Sequence, residues 1–223
     1  MAPVGCWDTD TMAIEAVFFD FGGVLSYGFD GVNHSAIETE FGLEPKSLRM
    51  MIYRDSRYND YQIGACTLEE WVESIREALI AGVGDRADAI LTAFQNAPRS
   101  LNFDTIRLVK RIREAGYRTA IISNTVPGML TRMRELDEPN PPERRLLPLF
   151  DAIIGSGDVG MAKPDAAIFH HAAQILGVAL DRSIFTDDYQ KHVDAAKALG
   201  MHAFHFTTCE HFVEDLRSVG VEV

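Results

Sequence analysis

The sequence predicts an α/β protein built on a doubly wound parallel sheet, with a small all-helical segment inserted after the first strand. Three observations carry that prediction. The run Ala16-Val17-Phe18-Phe19-Asp20-Phe21-Gly22-Gly23 takes an apolar strand, of the kind buried on both faces of a parallel sheet, into a carboxylate and a glycine turn. From about residue 101 onward, strand and helix patterns alternate, which asks for parallel strands joined by helical crossovers. Between about residues 27 and 100 that rhythm stops, and the patterns are helical with no convincing strand.

The opening strand delivers Asp20 to its carboxyl edge, where α/β sheets build their sites. In the insertion, Thr67 and Glu70 form a capping box, and Leu68, Trp71, Val72, Ile75 and Leu79 recur at helical spacing up to Gly82. Asp104 is predicted to cap a helix with Ile106, Leu108, Val109 and Ile112 on its apolar side, stopped by Gly116. Residues 119–123 form the next strand. The segment 137–148, with Pro139, Pro141, Pro142 and Pro148, reads as a rigid surface loop, and residues 152–155 as a third strand. Pro164 marks a first helical turn, with Ile168, Ala172 and Ile175 inward and Gly177 at the end. Residues 183–186 are a fourth strand, 193–199 a helix closed by Gly200, and 202–206 a fifth strand; a last helix carries Phe212, Leu216 and Val219. The expected division is a core of residues 1–26 and 101–223 and a helical insertion of residues 27–100.

A chain of 223 residues buries a full core and leaves enough over for the insertion. The formal charge of −12 disfavours nucleic acid and anionic membrane as partners, since both demand a basic face, but leaves room for a small anion at a local site. Cys6, Cys66 and Cys209 are too few and too scattered for a disulfide framework or a zinc cluster, which points to a reducing compartment. Residues through Met12 are polar, lack the features of a signal peptide, and are expected to be a loose leader. No apolar stretch is long enough to span a bilayer. The expectation is a soluble cytoplasmic protein whose oligomeric state the sequence leaves open.

Four groups fall at or just after predicted strand ends: Asp20, Ser123-Asn124, Lys163-Pro164-Asp165, and Asp187-Asp188. Together they suit phosphoryl transfer, which needs an in-line nucleophile, a divalent cation, and fixed charge and donors for the phosphoryl oxygens. Asp20 can attack to give an aspartyl-phosphate. Asp187 and Asp188, with Asp20, offer the hard oxygen ligands that Mg²⁺ prefers, and Ser123 and Lys163 supply a donor and a charge. His202, His205 and Cys209 suggest a metal site only briefly, because residues three apart on a strand face opposite sides.

The order and wording of these segments resemble the haloacid dehalogenase-like (HAD) hydrolase superfamily, from Ile14 onward. Ile121-Ile122-Ser123-Asn124 is similar to its second motif, the run from Gly155 to Asp165 to its third, and Phe185-Thr186-Asp187-Asp188 with Ala195-Ala196-Lys197-Ala198-Leu199-Gly200 to its fourth. The resemblance implies a Rossmann-like core with a helical cap, Mg²⁺ as cofactor, and a small phosphorylated metabolite as substrate. It makes Asp20 the nucleophile and Ser123 and Lys163 the phosphoryl binders. Asn124 and Gly22 would lie against the substrate, and the metal ligands would come from Asp20, Gly22, Asp187 and Asp188. The superfamily's phosphatases usually carry a second Asp, the general acid and base, two residues after the nucleophile; here that position is Gly22. General acid–base catalysis is worth roughly 10²–10⁴-fold, so this departure makes the expected phosphatase atypical. Two other readings stay open: a 2-haloacid dehalogenase-type hydrolase, although the aromatic residue usual in dehalogenating members is missing too, and a catalytically weak binding protein of the same fold. In the insertion, Tyr53, Arg54, Arg57, Tyr58 and Tyr61 either contact the substrate or pack the cap and face solvent.

Overall fold

The computed structural model describes residues 13–26, 32–54, 56–97, 100–142 and 145–223. The leader through Met12, with Cys6, and the first residues of the insertion, 27–31, lie outside them. Five strands form one parallel sheet: β1 (Ala16–Phe19), β2 (Arg118–Ser123), β3 (Ala152–Gly155), β4 (Ser183–Asp187) and β5 (His202–His205). Their order is β3-β2-β1-β4-β5, with Phe19 beside Ile121 on one side and Thr186 on the other. The chain builds outward from β1 to β3, then returns to start β4 on the opposite side. The crevice at the carboxyl ends of β1 and β4 is therefore the topological switch point, where such sheets bind ligands.

Alternation along each strand fills both faces of the sheet. Val17, Phe19, Ile121 and Ile184 join one apolar cluster with α6 (Phe103–Glu114) and α11 (Cys209–Ser218). Ala16, Phe18, Ala120, Ile122 and Phe185 join another with α9 (Ala166–Leu176) and α10 (Gln190–Ala198). Phe18 and Phe19 are fully buried on opposite faces, each contributing about 1.5–3 kcal/mol of transfer free energy. Between β1 and β2 lie α1 (His34–Glu40), α2 (Ser47–Tyr53), α3 (Tyr58–Gln62), α4 (Leu68–Val83) and α5 (Ala87–Asn96). They bury an apolar cluster of their own, including Leu48, Ile52, Ile75, Leu79, Ile90 and Phe94. The crossover from β2 to β3 carries α7 (Met129–Asp137), and a one-turn helix α8 (Ser156–Val159) follows β3. None of the helices among the described residues is long and apolar enough to cross a membrane.

Several element boundaries differ from the sequence expectations, each for a local reason. The cap of α6 is Asn102, not Asp104: its carbonyl accepts Thr105 N–H while its amide donates to Val24 O at 3.1 Å, tying the turn after β1 to the helix. Asp104 pairs instead with Arg107 on the surface. Gly82 lies inside α4, where a Cβ would sit 2.6 Å from Met51 Sδ, and the left-handed residue that ends the helix is Gly84. Pro164 precedes α9, because Asp165 takes the cap by accepting Ala167 N–H. Ile175 faces solvent, and Phe169, Ala173 and Leu176 complete the inward stripe with Ile168 and Ala172. The helix expected at 193 begins at Gln190. The expected loop 137–148 starts as the end of α7 and closes with a 3₁₀ turn, Leu147–Leu149. Buried Asp137 holds it closed by accepting Leu146 N–H at 2.7 Å and Leu147 N–H at 2.6 Å.

Candidate active site

The strand ends converge on one small cleft. Asp20 N–H donates to Thr186 O at 2.9 Å, carrying the ladder one residue past β1 and fixing the carboxylate at the sheet edge. The chain then turns sharply: Leu25 N–H, Ser26 N–H and the Ser26 hydroxyl all converge on Phe21 O. The left-handed residue of that turn is Gly23, φ 77°, one past Gly22, and a Cβ at Gly23 would collide with the Asp188 carboxylate. Asp187 ends β4, and its main-chain carbonyl accepts Phe206 N–H at 2.9 Å. Ser123 ends β2.

Lys163 is the centre of the electrostatics. Its ammonium, fully buried, donates to Asp20 Oδ1 at 2.8 Å and Asp187 Oδ2 at 2.6 Å, and lies 5.3 Å from the centroid of the Phe185 ring. Asn124 locks the lysine in place: its amide donates to Lys163 O and its carbonyl accepts Lys163 N–H, both at 2.7 Å. Expected against the substrate, Asn124 thus directly grips the residue that pairs with Asp20. Asp187 accepts three groups: Lys163 Nζ, His192 Nδ1 at 3.0 Å, and Tyr189 N–H at 2.8 Å. His205 Nε2 lies 3.0 Å from Asp188 O, bracing the main chain there.

Burial pushes the Asp20 carboxyl up to about 7 against the pull of Lys163, with the Asp187 charge adding to the rise. Burial also opposes ionisation of Asp187, but Lys163 and His192 outweigh it and hold that group at about 2. Burial and Asp187 together raise Asp188. Of two carboxylates sharing one ammonium, Asp187 keeps its charge and Asp20 gives way.

Asp165, from the same strand-end segment as Lys163, caps α9, whereas Asp20, Gly22, Ser123, Asn124, Lys163, Asp187 and Asp188 all line this cleft of about 20 Å³. Tyr189 and His192 line it too, and sequence reasoning missed both. Their signal was available: the first turn of a helix following a parallel strand faces the carboxyl edge of the sheet. Tyr53 and Tyr58 line a larger cavity beside Ser123 and Asn124, whereas Tyr61 stacks on Trp71 and exposed Arg57 pairs with Asp60 and Glu70. Ser156 of the third motif is buried away from the cleft. Its hydroxyl bridges Gln62 O at 2.6 Å to the Thr125 main chain, and Gln62 Nε2 donates to Asn124 O, so α3 is clasped to the loop after β2. Asp158 of the same motif caps α7 through Gly128 and Met129 N–H.

The donor set suits a divalent cation. Oxygens of Asp20, Asp187 and Asp188 lie within 4.8 Å of one another. Three carboxylates against one ammonium leave a formal excess of two negative charges, which adds to burial in raising Asp20. Carboxylate oxygens with room for one water-sized occupant match the preferences of Mg²⁺.

Comparison with known proteins gives four matches of weight. The sequence profile of the hydrolases described as haloacid dehalogenase-like matches residues 14–200. Drimenol cyclase drtB of Aspergillus calidoustus is 25% identical over 195 residues, which take in 86% of this chain but 34% of that protein, so the chain spans only part of that relative's length. Phosphatase MT3486 of Mycobacterium tuberculosis is 25% identical over 225 aligned positions, covering 94% of this chain and 96% of its own. Among solved structures, the HAD family enzyme bt-2542 of Bacteroides thetaiotaomicron, in complex with magnesium and inorganic phosphate, superposes with a TM-score of 0.63. Its identity is 21%, over 87% of this chain and 95% of its own, a likeness of fold.

Proposed function

The chain belongs to the haloacid dehalogenase-like hydrolases, and from that premise we propose that it is a Mg²⁺-dependent phosphatase of a small organic phosphate, acting through an aspartyl-phosphate on Asp20. The observation that carries this reading is the buried Lys163 ammonium 2.8 Å from Asp20, in a cleft that also holds the Asp187 and Asp188 carboxylates and the Ser123 hydroxyl. Asp20 and Asp188, with the main chain at Gly22, hold the cation; Asp187, already accepting three donors, positions Lys163. When bound, the cation neutralises phosphoryl oxygens and the carboxylates facing them.

Asp20 attacks phosphorus, forming the Asp20 Oδ–P bond as the bond from phosphorus to the leaving oxygen breaks with its electron pair. Lys163 and the Ser123 hydroxyl bind the equatorial oxygens and compensate the charge developing there. Water then attacks the same phosphorus, the Asp20–P bond breaks, and inorganic phosphate and the free alcohol are released. Gly22 places no side-chain acid beside the leaving oxygen, so its proton comes from water and weakly basic leaving groups react best. Residues 27–100 serve as the cap over residues 1–26 and 101–223. The free thiols of Cys66 and Cys209 suit a reducing, cytoplasmic setting.

The test is p-nitrophenyl phosphate turnover with and without Mg²⁺, in the parent and in Asp20→Asn. The expected result is Mg²⁺-dependent release that falls at least ~10³-fold in the variant, as for loss of a covalent nucleophile. Turnover insensitive to Asp20→Asn would overturn the nucleophile. Mg²⁺-independent halide release from a 2-haloacid would assign Asp20 to dehalogenation instead.

A further inference from the structure

A second cavity, of about 520 Å³, adjoins the carboxylate cleft and shares Ser123 and Asn124 with it. The helical segment supplies one wall, with Trp71, Val72 and Phe94; α7 supplies the other, with Met129, Met133 and Leu136. Phe21, the residue after the nucleophile, lies in its lining. The polar groups sit mostly at its ends and edges, with Tyr58 on the aromatic side and exposed Gln95 near the end of α5. Ser123, Asn124 and Thr125 gather at the end shared with the cleft. Arg132 and Glu135 are the charged lining residues among those described, and the Arg132 guanidinium donates to the Val126 and Pro127 carbonyls and the Thr125 hydroxyl, stapling the loop after β2. The Tyr53 hydroxyl meets His34 Nε2 at 3.1 Å. A polyhydroxylated or heterocyclic body placed here would set most of its donors and acceptors against the apolar walls of Trp71, Val72, Phe94, Met129, Met133 and Leu136, a desolvation cost that selects against it.

The cleft adds a second constraint. With glycine at position 22, the leaving oxygen departs without a side-chain acid, which a phenolate does far more readily than an alkoxide. Phe21, Tyr53, Tyr58, Trp71 and Phe94 meanwhile give the cavity the aromatic lining against which a ring packs edge or face on. We propose that the substrate is an apolar aryl phosphate, its phosphoryl group in the carboxylate cleft and its ring with an alkyl body in this cavity. The proposal rests on the phosphatase reading of Asp20. In its chemical step the Asp20 Oδ–P bond forms, the P–O(aryl) bond breaks, and the electron pair leaves on a phenolate that takes its proton from water. Hydrolysis of the aspartyl-phosphate then returns Asp20 and inorganic phosphate.

The experiment is a series of 4-alkylphenyl phosphates from ethyl to hexyl, in which leaving-group basicity stays nearly constant and only the apolar body grows. With Mg²⁺ present, kcat/KM is expected to rise roughly fourfold per added methylene until the cavity is filled. The matching 4-alkylphenylphosphonates, which are not hydrolysed, are titrated by calorimetry, and their Kd is expected to fall with the same slope. Val72→Gln and Leu136→Gln, half-buried on opposite walls, are each expected to flatten both slopes by about half, and the pair guards against one variant failing to fold. Flat slopes in the parent would overturn the proposal. So would O-phosphotyrosine, with the same kind of leaving group and a zwitterionic body, being turned over as well as the hexyl ester. If no ester is hydrolysed but the phosphonate slope stands, the phosphatase reading fails and the assignment of the cavity to an apolar aryl ligand is upheld.

Discussion

Replacing Lys163 with Met isolates the contact on which the site geometry depends. The side chain is fully buried, and its ammonium lies 2.8 Å from Asp20 and 2.6 Å from Asp187. Met fills a similar volume without the charge, so the perturbation leaves two buried carboxylates facing each other without their counter-ion. Removing one partner of a buried ion pair costs about 3–5 kcal/mol. At roughly 2–4 °C per kcal/mol for a chain of this size, the midpoint should fall by about 6–20 °C. The cost depends on pH in a direction that can be worked out. In the parent, Asp20 titrates near 7 when folded against an ordinary 3.8, so between those values the folded state holds more protons and stability falls as pH rises. Without the ammonium, Asp20 rises further and Asp187 keeps only His192 of the groups that hold it low. The gap between parent and variant should therefore be widest at pH 8 and narrow at pH 5, where a carboxyl proton replaces the missing charge. The assay is thermal and urea unfolding of both proteins at the two pH values, with EDTA to exclude metal. A loss below about 0.5 kcal/mol at pH 8, the range of ordinary surface changes, would refute the reasoning, as would a loss equal at both values.

Two further perturbations probe the leaving-group side of the cleft and the loop beyond it. Gly22→Asp places an acid two residues after the nucleophile and is expected to raise kcat for alkyl phosphates by roughly 10²-fold, the lower end of the roughly 10²–10⁴-fold that such catalysis is worth. p-Nitrophenyl phosphate, whose leaving group needs no proton, should gain much less, and an equal gain for both would contradict the role given to position 22. Asp137→Ala strips two main-chain donors, Leu146 and Leu147, of the carboxylate that accepts both. At about 1–3 kcal/mol for a buried donor left unpaired, with Leu146 buried and Leu147 half-buried, urea unfolding should report a loss of about 2–6 kcal/mol, and no measurable loss would show that water satisfies the loop.

The sheet was legible because β1 and the inner part of β2 are short apolar runs, the pattern that burial on both faces demands, whereas the edge strand β5, His202–His205, with both histidines exposed, is marked mainly by its place after the glycine that ends the preceding helix. Helix starts were less so, since several residues compete for each cap. Asn102 and Asp104 both accept main-chain N–H groups readily, and the choice is made by Asn102 having an amide to give Val24 as well, a tertiary contact invisible along the chain. The polar first turn of α10, Gln190 to His192, carries no apolar period, so its helix seemed to start at the first buried residue, Val193. For the same reason α7, with its charged stripe of Arg132, Arg134 and Glu135, passed unseen behind Pro127 and Gly128.

The cleft was readable from four strand-end segments, whereas the cavity beside it was not, and the physical distinction is one of origin. Asp20, Ser123 and Asp187 are placed by strands whose register the sheet dictates, so a residue's position in the chain nearly determines its position in space. The cavity is the gap left where the helices between β1 and β2 meet α7, elements separated by tens of residues, and nothing in either stretch alone marks Val72 and Leu136 as lining one cavity. Yet the two features constrain the same molecule from opposite ends. In the proposed reaction, glycine at position 22 favours a leaving group stable as an anion, and the apolar walls favour one that carries little polarity beyond the oxygen that leaves. A phenol satisfies both at once, because the ring that fills the cavity is also what delocalises the departing charge.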